Sequence, residues 1–208
     1  MLPDGFVYLT DDRMVLSLDY ITSYNFVGRP IAGYYDKVFI LTKNAALALS
    51  AAQDELDKLG QGYCFKIFDA YRPLTATRDF KQWSLDLQDQ KMKNDFYPNL
   101  SKSQLFDLGF ISETSTHCCG STLDLTLTQL NTDGVSTTDL DMGTIFDFFD
   151  DTAHTLSNHV SETAQKNRIF LKTLMERHGF LNYPLEWWHF TLKNEPFPET
   201  YFDFPVRR

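Results

Sequence analysis

The segment Leu123-Asp124-Leu125-Thr126-Leu127-Thr128 alternates apolar and polar residues without interruption. A period of two is what a β-strand imposes, since successive side chains point to opposite faces of the sheet. Wound as a helix, the same residues would scatter their leucines around the axis, so the pattern dictates a strand. Leu123, Leu125 and Leu127 then share one face, and Asp124, Thr126 and Thr128 share the other. A carboxylate in the middle of such a strand must be solvated, paired or ligating, because burying it alone is costly.

The remaining elements arrange around that strand. Thr42 to Leu59 reads as a helix, with Thr42 as N-cap, the helix-favouring run Ala45-Ala46-Leu47-Ala48-Leu49, and Gly60 as its stop. Tyr63 to Asp69 reads as a strand, followed by the turn Ala70-Tyr71-Arg72-Pro73 and a second helix through Trp83. Ser161 to His178 reads as a third helix closed by Gly179, and the aromatic run Leu185 to Leu192 suits a strand. Helices and strands interleave without the βαβ rhythm of a parallel sheet. The expected class is α+β, with a mainly antiparallel central sheet flanked by helices. The 208 residues carry no repeat, low-complexity segment or linker, so residues 1–208 read as a single domain.

Charge narrows the function. Nineteen Lys and Arg against 28 Asp and Glu give a formal net charge of −9, with no general attraction for phosphate backbones or anionic lipid. No nucleic-acid or membrane partner is expected. No apolar run approaches the ~18–20 residues of a membrane span, and Met1-Leu2-Pro3-Asp4-Gly5 lacks the basic and apolar regions of a signal peptide. Three cysteines, two of them adjacent at Cys118 and Cys119, make no disulfide framework. A cytoplasmic setting is expected, or a periplasmic one had a leader been removed. With 18 Phe in the chain, several aromatics are expected to line something other than the core. Five His and three Cys are the only nitrogen and sulfur ligands available, so any metal site must be small and carboxylate-assisted.

His117 stands seven residues before Asp124, and Gly120 between them allows a turn that would fold the imidazole back beside the carboxylate. Taken alone, the pair fits a loop-to-strand hydrogen bond as well as a metal. Glu186-Trp187-Trp188-His189 supplies a second half. On a flat strand Glu186 and His189 would face opposite sides, so convergence requires a bulge, a turn or a tight strand entry, which Pro184 makes available. Alternatively a metal contacts His189 while Glu186 approaches from an adjoining face through a water; standing alone, the motif reads as a solvent-facing Glu186 and a His189 packed among tryptophans. Two His and one Asp, with a Glu that need not ligate, form the three-ligand open site of catalytic zinc. The metal lowers the pKa of a water at the open position, and an unligated Glu can serve as general base. Arg72, held extended at a strand end by Pro73, could polarise a scissile carbonyl, or could pair structurally with one of the 28 acids.

Seven motifs recur in one order across almost the whole chain: Asn25-Phe26-Val27-Gly28, Gly33-Tyr34, Tyr71-Arg72-Pro73, the S-x-H-x-x-G-S-x-x-D-L-T-L run from Ser115, Phe146-Asp147-Phe148-Phe149-Asp150, Glu186-Trp187-Trp188-His189 and the closing Tyr201-Phe202-Asp203-Phe204-Pro205-Val206. With them the sequence resembles the D-alanyl-D-alanine dipeptidases of the VanX type, zinc peptidases sharing a core with bacterial D,D-carboxypeptidases. The resemblance implies one Zn²⁺ per chain held by His117, Asp124 and His189 in a cleft on the sheet. It implies Glu186 as catalytic base and Arg72 as the residue that stabilises the tetrahedral intermediate. Tyr20 and Asp147 are then expected to meet the substrate's ammonium group, and Ser115 and Tyr34 to lie in the neighbourhood of its carboxylate.

The implied reaction is hydrolysis of the small-molecule dipeptide D-Ala-D-Ala to two D-alanines, serving either glycopeptide resistance or D-alanine salvage during wall turnover. A D,D- or L,D-carboxypeptidase acting on peptidoglycan stem peptides would use the same zinc site. An inactive zinc-stabilised binding module would keep the ligands without the turnover. The sequence departs from the family at Thr122, where Ala is usual, and at Cys118-Cys119, which replace small or basic residues and read as packing. His154, His159 and His178 have no catalytic match. A charge on His178, in the last turn of a helix, suits the helix dipole.

Overall fold

The computed structural model describes residues 1–130 and 137–208. Its elements run β1 (Phe6–Tyr8), β2 (Val15–Leu16), β3 (Ile40–Thr42), α1 (Lys43–Lys58), β4 (Tyr63–Asp69), α2 (Leu74–Leu85), α3 (Lys93–Phe96), α4 (Lys102–Asp107), β5 (Thr122–Leu130), β6 (Thr137–Asp139), α5 (Glu162–Arg177), β7 (Phe180–Asn182) and β8 (His189–Leu192). The central sheet has the order β2-β4-β5-β8-β7, with β6 paired to the far end of β5. Among the described residues its only parallel pairing is β2 with β4. β1 and β3 form a separate antiparallel ribbon. This is the expected α+β class.

The expected helices form where their caps direct. Thr42 Oγ1 accepts from the Ala45 N–H at the start of α1, and Ser161 Oγ accepts from the Ala164 N–H at the start of α5. Gly60 and Gly179 follow the two helices at φ +65° and +86°, a conformation that a Cβ would strain. α1 rests on β3 and β4, and α5 on β7 and α1. α2 runs to Leu85, two residues past the expected end.

β5 forms as its alternation requires, with Leu123, Leu125 and Leu127 fully buried. Its other face is covered too, since Asp124, Thr126 and Thr128 are buried. Part of the cover is Phe146, which stacks on Phe68 of β4 at 4.6 Å and meets Trp188 edge-on at 5.6 Å. The face bearing Asp124 therefore lies largely beneath other chain segments and is reached only through the clefts that Asp124 and Thr126 line.

One expected strand is shorter than its composition suggests. Instead of running from Leu185 to Leu192, it begins at His189. Tyr183 to Trp188 makes two consecutive turns, the Glu186 N–H donating to the Tyr183 carbonyl (3.1 Å) and the His189 N–H to the Glu186 carbonyl (3.3 Å). Pro184 has no N–H to give a ladder, and the Trp187 N–H goes instead to the Ala153 carbonyl (3.1 Å). Tertiary bonds thus override the β propensity of the tryptophans. No helix among the described residues is long and apolar enough to cross a membrane.

Candidate metal centre and active site

Neighbouring strands set three side chains in one row. Asp124 of β5 is the cross-strand partner of Asp69 on β4 and of His189 on β8, with a register shift in β4 just before Asp69. His117 comes from a 3-10 turn, Thr116–Cys119, capped by Ser115, whose Oγ accepts from the His117 N–H (3.3 Å). Gly120 ends that turn at φ +95°, and any Cβ there would collide with the Phe6 ring. That glycine permits the fold-back that brings His117 to Asp124.

His117 Nε2 lies 3.1 Å from Asp124 Oδ2, and His189 Nδ1 lies 3.1 Å from Asp124 Oδ1. The ligand atoms of the three residues all fall within 4.8 Å of one another. The Ala70 carbonyl, 2.6 Å from His117 Nδ1, can only accept, so Nδ1 carries a hydrogen and Nε2 turns a lone pair toward the carboxylate. Two acceptors facing each other in a buried site call for a cation between them. His117 Nε2 and Asp124 Oδ1 are buried without a hydrogen-bond partner, and the donor set of two imidazoles and a carboxylate suits zinc. The residues fit the ion the sequence implied.

Burial works to raise the Asp124 pKa, but positive charge and hydrogen bonds from the two imidazoles beside it, the part a bound cation would take over, prevail and hold it below the usual carboxylate range. Burial pushes His189 down, favouring the neutral imidazole that a metal binds. Of the bulge, turn or tight strand entry that the Glu186–His189 spacing called for, the structure has a turn, and it brings Glu186 Oε2 to 3.4 Å from His189 Nδ1. Burial, then the charges of Asp124 and Asp147, push the Glu186 carboxyl well above its ordinary value.

Arg72 occupies both positions weighed from the sequence. Its Nε donates to Asp69 Oδ2 (2.8 Å) and its Nη2 to Asp124 Oδ2 (3.2 Å), and the guanidinium sits over the rings of Tyr20 and Phe80. It also lines the cleft above the metal centre.

That cleft has a volume of about 210 Å³. Asp124, Glu186 and His189 line it together with aromatics that include Tyr20, Phe80 and Phe149, which also belong to the hydrophobic core. Asp147, another lining residue, is 6% exposed and accepts from the Tyr20 hydroxyl at 2.8 Å. Burial raises its pKa well above normal, and its φ of +59° is a strained conformation for a residue with a side chain. Ser115 lines the cleft half-buried, its Oγ engaged by the His117 N–H.

Tyr34 does not reach the cleft wall. It is 5% exposed, and its hydroxyl donates to Asp69 Oδ1 at 2.8 Å. Cys118 and Cys119 are buried with thiol pKa values raised by that burial, Cys119 to about 11, as packing residues would be. His178 follows α5 and meets Glu55 at 2.8 Å, while His154 lies 3.6 Å from Asp151.

Two residues were not singled out from the sequence. Asp69 gathers Arg72, Tyr34 and the neighbourhood of His117 (3.7 Å) around one buried carboxylate. Thr116 Oγ1 lies 3.4 Å from His189 Nε2, the ring nitrogen turned away from the metal centre. The position of Asp69 at a strand end, just before Tyr71-Arg72-Pro73, was the available signal.

A His–Asp–His centre with an adjacent unligated carboxylate and an arginine in a small cleft defines a metal-dependent hydrolase. Residues 9–207 match the family model described as D-ala-D-ala dipeptidase, of the M15 peptidases. The chain is 37% identical over 207 residues to a D-alanyl-D-alanine dipeptidase of Enterococcus faecalis, covering 99% of this chain and 100% of that protein. It is 38% identical over 187 residues to one of Streptomyces coelicolor, covering 90% of each. A solved structure of the vancomycin-resistance D,D-pentapeptidase VanY with Zn(II) is 16% identical, with a TM-score of 0.42 over 75% of this chain and 74% of that one. The chain belongs to the D-Ala-D-Ala dipeptidase family of M15 peptidases, and it is a zinc metallopeptidase.

Proposed function

We propose that the chain, acting as a single cytoplasmic domain, hydrolyses free D-Ala-D-Ala to two D-alanines. The observation that carries this reading is the cleft itself: about 210 Å³, with the metal centre and Glu186 on one wall and a buried acid, Asp147, also facing the space. A free dipeptide brings an ammonium, one peptide bond and a carboxylate. Asp147, oriented by the Tyr20 hydroxyl, is the natural acceptor for the ammonium. Ser115 is assigned the neighbourhood of the carboxylate, and Tyr34 a supporting role through Asp69.

His117, Asp124 and His189 would hold zinc, which when bound polarises the peptide carbonyl and lowers the pKa of a water. Glu186 takes the proton of the attacking water and passes it to the leaving amine, and its raised pKa suits both halves of that transfer. Arg72, held by Asp69 and Asp124, donates to the carbonyl oxygen as negative charge develops there. Charge recognition at both ends disfavours longer peptides, whose internal amide leaves Asp147 unpaired.

The test is D-alanine release from D-Ala-D-Ala, D-Ala-D-lactate and a stem pentapeptide, with and without chelator and added zinc. Chelator-sensitive release from the dipeptide alone is expected. Release from the pentapeptide with none from the dipeptide would replace this reading with a carboxypeptidase.

A further inference from the structure

Helix α5 sends one charged side chain inward with no acid to meet it. Arg168 is 1% exposed, and among the described residues no carboxylate accepts from its guanidinium. Burial pushes its pKa down to about 10, opposed only by the charge of Asp141. An unpaired buried cation is among the costlier groups a core can hold, and an apolar side chain of similar volume would fill the space at less cost.

What Arg168 touches is specific. Its Nε donates to the Met142 carbonyl (2.7 Å), and its Nη1 donates to the carbonyls of Thr152 (2.8 Å) and His154 (2.7 Å). Those carbonyls flank, on either side, the segment that carries Asp147. Nη2 is buried with no partner, so the fork is spent on these backbone groups alone.

The segment needs such a tie. Between β6 and the 3-10 turn at Asp151–Ala153 it has no helix or strand, and Asp147 within it sits at a strained φ of +59°. Other ties run to α3 and the residues after it, where the Phe149 N–H donates to the Phe96 carbonyl (2.7 Å) and Asn99 Nδ2 to Asp150 Oδ2 (2.8 Å), and two more lead to the catalytic side. Trp187 Nε1 donates to Thr144 Oγ1 (2.8 Å) and the Trp187 N–H to the Ala153 carbonyl (3.1 Å), and Trp187 is the neighbour of Glu186.

We propose that Arg168 is a positioning residue for substrate recognition: by pinning both ends of the Asp147 segment it sets the distance from the ammonium acceptor to the metal centre. The proposal rests on the reading of Asp147 as the ammonium acceptor. Arg168 touches neither substrate nor metal in this scheme, and acts through the backbone that presents Asp147.

The experiment compares kcat and KM for D-Ala-D-Ala and for propionyl-D-alanine, which lacks only the ammonium group, in the zinc-loaded protein, three single variants and one double variant. Thermal unfolding and zinc content are measured alongside. Asp147→Asn should abolish the preference for the dipeptide. Arg168→Met should raise KM for the dipeptide about tenfold, with kcat within about threefold and zinc content unchanged, and should erode the same preference. Arg168→Lys should show a smaller shift of the same kind, since one ammonium cannot reach both ends of the segment. Added to Asp147→Asn, Arg168→Met should change KM by less than about twofold, because both act on one contact.

If Asp147→Asn loses the preference while the Arg168 variants keep the KM and preference of the parent, the positioning role is wrong and the acceptor reading stands. If Asp147→Asn keeps the preference, both fall. A fall in kcat alike for the two substrates, with KM unchanged, would also overturn the proposal. Should the Met variant not fold, the Lys variant decides by the same criteria.

Discussion

Tyr34→Phe separates two roles that the same tyrosine could play. The family resemblance puts Tyr34 near the substrate carboxylate, whereas the structure commits its hydroxyl to Asp69 Oδ1 at 2.8 Å and keeps it off the cleft wall. Burial already pushes the Asp69 carboxyl upward, opposed first by Arg72 and then by His117. Removing the phenol hydroxyl strips one of two short donors from a buried acid, the Arg72 Nε bond at 2.8 Å remaining. A hydrogen bond to a charged group is worth about 1.5–3 kcal/mol. For a chain of this size each kcal/mol moves Tm by about 2–4 °C, so a fall of roughly 3–12 °C is expected. KM for D-Ala-D-Ala should stay within about twofold, and kcat should fall only a few-fold, since Asp69 still orients Arg72. The assay is thermal unfolding of the zinc-loaded protein beside steady-state D-alanine release. A tenfold rise in KM with an unchanged Tm would refute the structural assignment and restore Tyr34 to the substrate.

Other perturbations follow from the same geometry. Zinc added back to chelated protein should raise Tm: at 100 times its Kd a ligand contributes about 2.7 kcal/mol, or roughly 5–11 °C here. An unchanged Tm in a zinc titration would exclude a site in the folded state. Gly120→Ala combines a Cβ collision with Phe6 and a left-handed φ. It should cost about 2–4 kcal/mol in denaturant unfolding, with loss of metal affinity, because the turn carries His117. Asp79 sits on α2 between the Arg29 fork (2.7 Å) and the Ala32 N–H (2.9 Å). Burial raises its pKa, but these donors outweigh burial and leave it below the ordinary value. Its folded pKa is therefore depressed, so its stabilisation is present above the unfolded value and lost as pH falls through the folded one. Asp79→Asn should cost about 1 kcal/mol at pH 7 and progressively less below pH 4, read by denaturation at the two pH values. An equal cost at both would show that the charge plays no part.

Much of the site was legible before any coordinates because its residue types are rare and its pattern local. Leu123 to Thr128 could only be a strand, and with five histidines in the chain His117 and His189 had few competitors for a ligand role. The Glu186–His189 spacing even stated the condition it needed, a bulge, a turn or a tight strand entry, and the two turns that begin at Tyr183 meet it. What stayed hidden depends on long-range pairing. Asp69 became part of the site only when the β4–β5–β8 register set it opposite Asp124, and a single sequence does not encode register visibly. Tyr34 matched a motif, but a motif does not say which side of Asp69 the hydroxyl approaches. Strand propensity overextended β8 toward Leu185 because bonds from Trp187 to Ala153 and Thr144 lie outside any local window.

The most direct test is zinc content and turnover measured on one preparation of Glu186→Gln beside the parent protein. The amide keeps the shape of the side chain and cannot take a proton, and Glu186 lies outside the His117–Asp124–His189 cluster. About one zinc per chain is expected, with D-Ala-D-Ala turnover reduced by roughly 10²–10⁴. Near-normal turnover would contradict Glu186 as the base, and loss of the zinc would contradict a centre made of His117, Asp124 and His189.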